Sequence, residues 1–168
     1  MLTAVPGAWT SGATLRYQWF RSGKAITGAT ARTYKVTKAD AGRRVAVRVT
    51  GSKPGFASAV QYSAARAVPQ YTARVKASKV TVKRSARARL SVSVATSATA
   101  RPMGTVTVKV AGKTVRVKVS AKAKGKVKVL LPKISKRGTY KAKVTFSPSG
   151  STKVSTKART VTTTVRVR

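Results

Sequence analysis

Valines fall on every second position through much of this 168-residue chain. In the stretch KTVRVKVSAKAKGKVKVLL (residues 113–131), Val115, Val117 and Val119 share one face of an extended strand, and Thr114, Arg116 and Lys118 share the other. After the turn-like SAKAKG, Val127, Val129 and Leu131 repeat the pattern against Lys126 and Lys128. Period-two alternation of β-branched residues marks a half-buried strand. The same rule holds for Leu90, Val92 and Val94, for Val106, Val108 and Val110, for Tyr140, Ala142, Val144 and Phe146, and more loosely for Val161, Val165 and Val167. Pro102, Ala111-Gly112, Pro132, Gly138 and Ser147-Pro148-Ser149-Gly150 punctuate these runs. Upstream, Leu15, Tyr17 and Trp19 alternate, Ser22-Gly23-Lys24 predicts a hairpin turn, and Val45, Val47 and Val49 alternate again. Thr37-Lys38-Ala39-Asp40 offers one short helical turn at most. The spacing predicts an all-β chain of two tandem antiparallel β-sandwich domains, at 1–68 and 77–168, joined by a linker at 69–76.

Charge complicates that picture. The chain has 37 Lys and Arg, one acid (Asp40), no His and no Cys, for a net charge of +36. Residues 1–70 hold 11 basic residues and the one acid (+10), and residues 71–168 hold 26 basic residues and no acid (+26). Such a density suggests a disordered polyanion-binding tail. A tail has no periodicity, however, and the alternating valines do, so the charges belong on the wet faces of folded strands. MLTAVPGAWT lacks the basic and apolar regions of a signal peptide. No apolar run approaches the ~18–20 residues that would span a bilayer.

Residues 2–62 resemble an immunoglobulin-like repeat common in secreted and surface proteins of actinobacteria. The residues that carry the resemblance are LTAVPGAW (2–9), LRYQWFRSGKAITGAT (15–30), TYKVTKADAGRRVAVRVTGSKPGF (33–56) and the closing Ala57-Ser58. The repeat normally has a strand before the LTA segment. The resemblance therefore implies that the first domain lacks its opening strand or receives it from elsewhere. Trp19 matches the buried core tryptophan of immunoglobulin domains, and Asp40-Ala41-Gly42 is similar to their aspartate–glycine turn. Val45 and Val47 stand where a Tyr and a Cys would follow, so the tyrosine corner and disulfide do not carry over there. Residues 78–160 resemble a second bacterial immunoglobulin-like module through GTVTVKVAGKTVRV (104–117), GKVKVLLPKI (125–134) and GTYKAKVTF (138–146). The glycine–aspartate loop usual after this strand is here SPSGSTK (147–153), without an acid. Modules of this kind serve as spacers, adhesins or appendages of extracellular enzymes.

Few residues are available for chemistry. A carboxylate pair needs two acids, a catalytic triad needs a base such as His, and Cys/His metal sites need residues the chain does not have. No S-x-x-K dyad and no phosphate-cradling G-x-x-x-x-G-K-[ST] loop occurs. The reading is therefore non-enzymatic, with no cofactor and no metal. Asp40, with Gly42, is expected to hold a turn, with Arg43 or Arg44 as its partner. Parity sends Tyr17, Trp19, Tyr140 and Phe146 to the core, which leaves little aromatic surface for stacking nucleic-acid bases.

The basic faces are what rises above scaffold. Lys109, Lys113, Arg116, Lys118, Lys126, Lys128, Lys141 and Lys143 are expected on solvent faces of neighbouring strands. There they would form a sequence-independent footprint for anionic cell-envelope polymers such as teichoic acid or acidic polysaccharide, or for nucleic acid. The leading expectation is an extracellular or cell-wall structural or adhesive module held by charge. The alternatives are a nucleic-acid-binding protein, an appendage of a secreted enzyme, and a subunit that self-associates through an open sheet edge.

Overall fold

The computed structural model describes residues 1–168, which divide into two compact units, Met1–Pro69 and Gln70–Arg168. Unit 1 contains β1 (Leu2–Thr3), β2 (Thr14–Arg21), β3 (Lys24–Ala25), β4 (Thr33–Tyr34), β5 (Arg44–Ser52), β6 (Ala59–Tyr62) and β7 (Arg66–Ala67). Unit 2 contains β8 (Tyr71–Thr72), β9 (Arg74–Ala77), β10 (Val80–Val82), β11 (Arg89–Ala95), β12 (Gly104–Val110), β13 (Lys113–Val119), β14 (Lys126–Leu130), β15 (Gly138–Pro148), β16 (Thr156–Lys157) and β17 (Arg159–Val167). The helical content is one five-residue helix, Ser151–Ser155, and two short 3-10 turns at Lys38–Asp40 and Ala121–Ala123.

Unit 2 is a sandwich. Its five-stranded sheet runs β10-β17-β15-β12-β13 and its three-stranded sheet β14-β11-β9. Alternation dictates the packing: Val106, Val108, Val144, Phe146 and Val165 of the larger sheet meet Leu90, Val92 and Val129 of the smaller in one core. The two sheets with these strand neighbours define an immunoglobulin-like fold. Tyr140, near the start of β15, donates its hydroxyl to the Lys136 carbonyl at 2.9 Å, the backward bond of a tyrosine corner. Ala111 and Gly112 both take positive φ (48° and 72°), the two-residue hairpin geometry that matches strand twist. Gly104 permits a close approach, since a Cβ there would run into the Ser147 carbonyl and the Phe146 ring.

Unit 1 repeats the plan in reduced form. Its main sheet runs β3-β2-β5-β6, with β7 also pairing with β5, and the opposing layer is the β1-β4 ribbon. Trp19 bridges the layers, stacking on Tyr34 with ring centroids 5.4 Å apart and donating its indole N–H to the Ala31 carbonyl at 2.9 Å. In chain order β1 to β5 correspond to β11 to β15, and β6 with β7 to β17. The first unit has no counterpart of β9 or β10, which in unit 2 pair with β11 and β17.

Three expectations need correction. The sheets are not wholly antiparallel, because β10 pairs parallel with β17 and β8 with β16. Most of the expected linker at 69–76 is strand: β8 and β9 belong to unit 2, where Ala73 and Val75 are buried in its core. The SPSGSTK segment is only in part a loop: Ser147 and Pro148 end β15, and Ser151 to Lys153 open the helix Ser151–Ser155, whose buried Thr152 accepts the Met103 N–H at 3.0 Å through its hydroxyl.

Candidate polyanion-binding faces

The structure divides the eight basic candidates into three groups. Lys109, Arg116, Lys118, Lys141 and Lys143 project from the outer face of the five-stranded sheet. Across β13, β12 and β15 the register sets Lys118 beside Thr105, Arg116 beside Thr107 and Lys109 beside Lys143, with Lys141 beside Thr164 on β17. Threonines fill the gaps between the cations, giving a level, polar surface. Lys126 and Lys128 are not on this face, as expected from neighbouring strands, but on the outer face of the opposite sheet, because β14 pairs with β11. Lys113 shares parity with the inward-facing Val115, and its ammonium reaches the Lys133 carbonyl at 3.2 Å. It closes the end of a hairpin and does not extend the outer face.

Lys109 and Lys143 are direct cross-strand partners. Residues so paired have Cβ atoms about 4.5–5.5 Å apart, and like charges there destabilise a sheet. No acid relieves them, since the only acidic side chain, Asp40, lies in unit 1. Arg74 and Lys76 on β9 and Arg89 on β11 are further cations on the three-stranded face, outside the eight expected from sequence. Alternation over 73–77 carries the signal for the first two, but a segment read as linker hides it.

Asp40 is structural, and its partner is neither Arg43 nor Arg44. It is fully buried (0% exposed) at the end of the Lys38–Asp40 turn. It accepts hydrogen bonds from the Thr37 N–H (2.6 Å), the Thr37 hydroxyl (2.9 Å), the Tyr34 hydroxyl (2.9 Å) and the Arg21 Nε–H (2.6 Å). Arg21 arrives there because it shares inward parity with Trp19 on β2, which fixes an arginine at the edge of the core. Burial pushes the carboxyl upward, yet the donors from Thr37, Arg21 and Tyr34 outweigh it and hold Asp40 below the usual carboxylate value. The same pair holds Arg21 above its ordinary value, chiefly through the hydrogen bond to Asp40. Gly42 follows with φ of 73°, a conformation that turns the chain into β5.

Of the four aromatic residues that parity sends to the core, Trp19 and Phe146 are buried and Tyr17 and Tyr140 pack against the two cores; Tyr34 is buried as well. The outer face of unit 1 carries a small cluster of its own. Phe20 and Tyr62 have ring centroids 6.2 Å apart, and the Arg48 guanidinium lies 5.6 Å above the Phe20 ring. Unit 1 also has an open cleft of about 300 Å³ between β1 and the β6–β7 edge, reaching Trp19, Val45, Val47 and Val49.

No known family matches the chain, and no curated protein matches it. Solved structures similar to it include fibronectin(III)-like modules of Clostridium thermocellum CbhA, at 10% identity and TM-score 0.40 over 96% of this chain and 82% of that one. A Ca2+-stabilised, ice-binding adhesin of an Antarctic bacterium aligns at 17% identity and TM-score 0.40, over 99% of this chain and 43% of that one. An S-layer protein aligns at 15% identity and TM-score 0.37, over 90% and 20%. The fold class rests on the strand topology above, to which these distant likenesses add nothing. No helix is long and apolar enough to cross a membrane.

Proposed function

We propose that this chain is a non-catalytic extracellular or cell-envelope structural module that binds anionic polymers through the outer faces of unit 2. The observation that carries the reading is the Lys109–Lys143 pair at the centre of a threonine-lined face in a unit with no acid. A solvated exterior needs only a net charge of about 2–8 for a small domain, and directly opposed lysines cost stability. A bound polyanion removes that cost. Rigid strands presenting cations about 6.5–7 Å apart along one face can follow a phosphate or carboxylate chain without reading sequence. The non-catalytic part rests on the residue inventory: one acid, already engaged by four donors, and no His or Cys.

Salt titration of binding to three targets tests it: teichoic-acid-bearing cell walls, the same walls stripped of teichoic acid, and random duplex DNA. Preference for intact walls that persists near about 0.15 M salt is the expected result. Equal binding to walls and DNA, falling together with a log–log slope near −0.9 per neutralised phosphate, would reduce the charge to a generic property and favour the nucleic-acid alternative.

The cleft of unit 1 favours a second reading, self-association through an open edge. The C-terminal TVTTTVRVR is not a free donor for it, because residues 160–167 lie in β17 within unit 2. Concentration-dependent sedimentation at high salt, where the +36 charge is screened, would support this reading, and a monomer at every concentration would refute it.

A further inference from the structure

The two outer faces of unit 2 differ in relief. On the five-stranded sheet, threonines and lysines of similar reach make a level surface. On the three-stranded sheet the central strand β11 presents small residues outward, Ser91, Ser93 and Ala95, and the edge strands present long cations. Lys76 of β9 and Lys126 of β14 both stand opposite Ser93, one on each side, and Lys128 stands opposite Ser91. Ser78 closes the second row, its hydroxyl accepting the Ser91 N–H at 3.1 Å. The product is a trough of about 510 Å³ running along β11, lined mainly by the apolar stems of Lys76, Lys126 and Lys128 and by Ala77, Val92 and Val127, with Ser78, Ser91 and Ser93 set among them. Lysine stems can line its sides while the ammonium groups stay at the rim.

The dimensions select a ligand. Strands lie about 4.8 Å apart, so Lys76 and Lys126 flank a channel about 10 Å wide between backbones, and Lys126 and Lys128 follow each other about 6.5–7 Å along it. One extended chain fits between such walls, whereas a duplex does not. The ammonium groups at the rim supply point charges for phosphate oxygens, and the apolar stems below them can pack against the carbon links of the chain. No aromatic side chain lines the trough, so a single strand of nucleic acid would lie there without the stacking worth about 1–3 kcal/mol per base. We infer that the trough along β11 is a binding site for a single extended phosphodiester chain without bases, of the polyol-phosphate type. This inference rests on the polyanion reading above and assigns to it a particular groove and ligand class.

The test uses the full chain with three ligands of equal phosphate number: a synthetic glycerol-phosphate oligomer, oligothymidylate and duplex DNA. In Ser93→Glu the new carboxylate stands between Lys76 and Lys126 and withdraws both. It should weaken the glycerol-phosphate oligomer about 10-fold, equal to about 1.4 kcal/mol, and leave duplex binding within about two-fold, because a duplex is too wide for the trough. Ser93→Thr should change neither. Lys143→Glu should do the reverse, weakening the duplex and sparing the oligomer. Thermal melts of each variant establish that unit 2 stays folded. If Ser93→Glu and Lys143→Glu weaken both ligands alike, the charge acts as a whole and the trough is not a site, although the broader reading survives. If oligothymidylate binds the trough as tightly as the oligomer, the base-free assignment is wrong. If no ligand binds near physiological salt, the polyanion reading itself fails.

Discussion

Units 1 and 2 follow one strand plan but achieve stability differently. Unit 2 has both opening strands, β9 and β10, and buries a cluster of 17 hydrophobic residues. Unit 1 has neither, and its equivalent cluster holds five. What unit 1 has instead is a polar lock, Asp40 with Arg21, Tyr34 and Thr37, at the edge of the Trp19–Tyr34 stack. The contrast separates two uses of charge in one chain. In unit 2 the apolar core is large enough to tolerate 26 unpaired cations. In unit 1 the small core leans on the only ion pair in the molecule.

Removing that lock should break the comparison most severely. Asp40→Ala strands Arg21 and three other donors, and breaking a buried pair in this way costs about 3–5 kcal/mol. That approaches the whole stability of a small domain. Both tryptophans, Trp9 and Trp19, lie in unit 1, so tryptophan emission reports on this unit alone. The expected outcome is solvent-exposed emission at 25 °C with the calorimetric transition of unit 2 unchanged. Native emission in Asp40→Ala would mean that the small core suffices by itself.

Supplying counterparts of β9 and β10 should sharpen the comparison from the other side. Residues 71–83, which contain β9 and β10, can be duplicated ahead of Met1 so that Val75, Val80 and Val82 of the copy cover the cleft. Burying even one valine contributes about 1.5–3 kcal/mol before ordering costs. A net gain of about 1 kcal/mol would raise the melting temperature of unit 1 by about 4–8 °C. The same duplication with serine at the three valine positions should give no gain. Equal melting of the two fusions would show that the cleft does not accept a strand in this register.

The strand pattern is readable in the sequence because parity requires only neighbouring residues. Val115, Val117 and Val119 face inward as alternation predicts. Parity says which side of a strand is dry, but not which sheet the strand joins. For that reason it groups Lys126 and Lys128 with Lys109 and Lys143, although the pairing of β14 with β11 carries them to the opposite face. Local proximity fails similarly for Asp40. Arg43 and Arg44 are near in sequence, but the β2–β5 register brings Arg21 across 19 positions to make the pair. Short strands are least legible, since Tyr71–Thr72 and Arg74–Ala77 are too short for the alternation over 73–77 to stand out from a linker without the core that Ala73 and Val75 complete.

Acid should separate the units by a smaller margin. The folded state holds Asp40 below its ordinary value of 3.8. Its contribution is therefore complete above the unfolded value and is lost as pH falls through that value towards the folded one. Between about pH 5 and pH 2 the tryptophan-detected melting of unit 1 should decline. Unit 2 has no acidic side chain, so its transition should change less over that range. A parallel decline in both units would assign the effect to something other than Asp40.

The finest test concerns the paired lysines. Lys109→Thr replaces one of two opposed charges with the residue that already fills neighbouring outward positions at Thr105 and Thr107. If the pair costs folding energy, the variant should stabilise unit 2 by about 0.2–1 kcal/mol at low ionic strength. The gain should shrink as salt approaches 1 M, where the Debye length falls to about 3 Å. Binding to duplex DNA should weaken in the same variant, with the salt slope shallower by about 0.9 for each phosphate that is no longer neutralised. Greater stability together with weaker binding would mark the pair as charge kept for a ligand at the expense of the fold. Weaker binding without any gain in stability would mean that the threonine-rich face already disperses the repulsion. The contrast with unit 1 would then rest on core size alone.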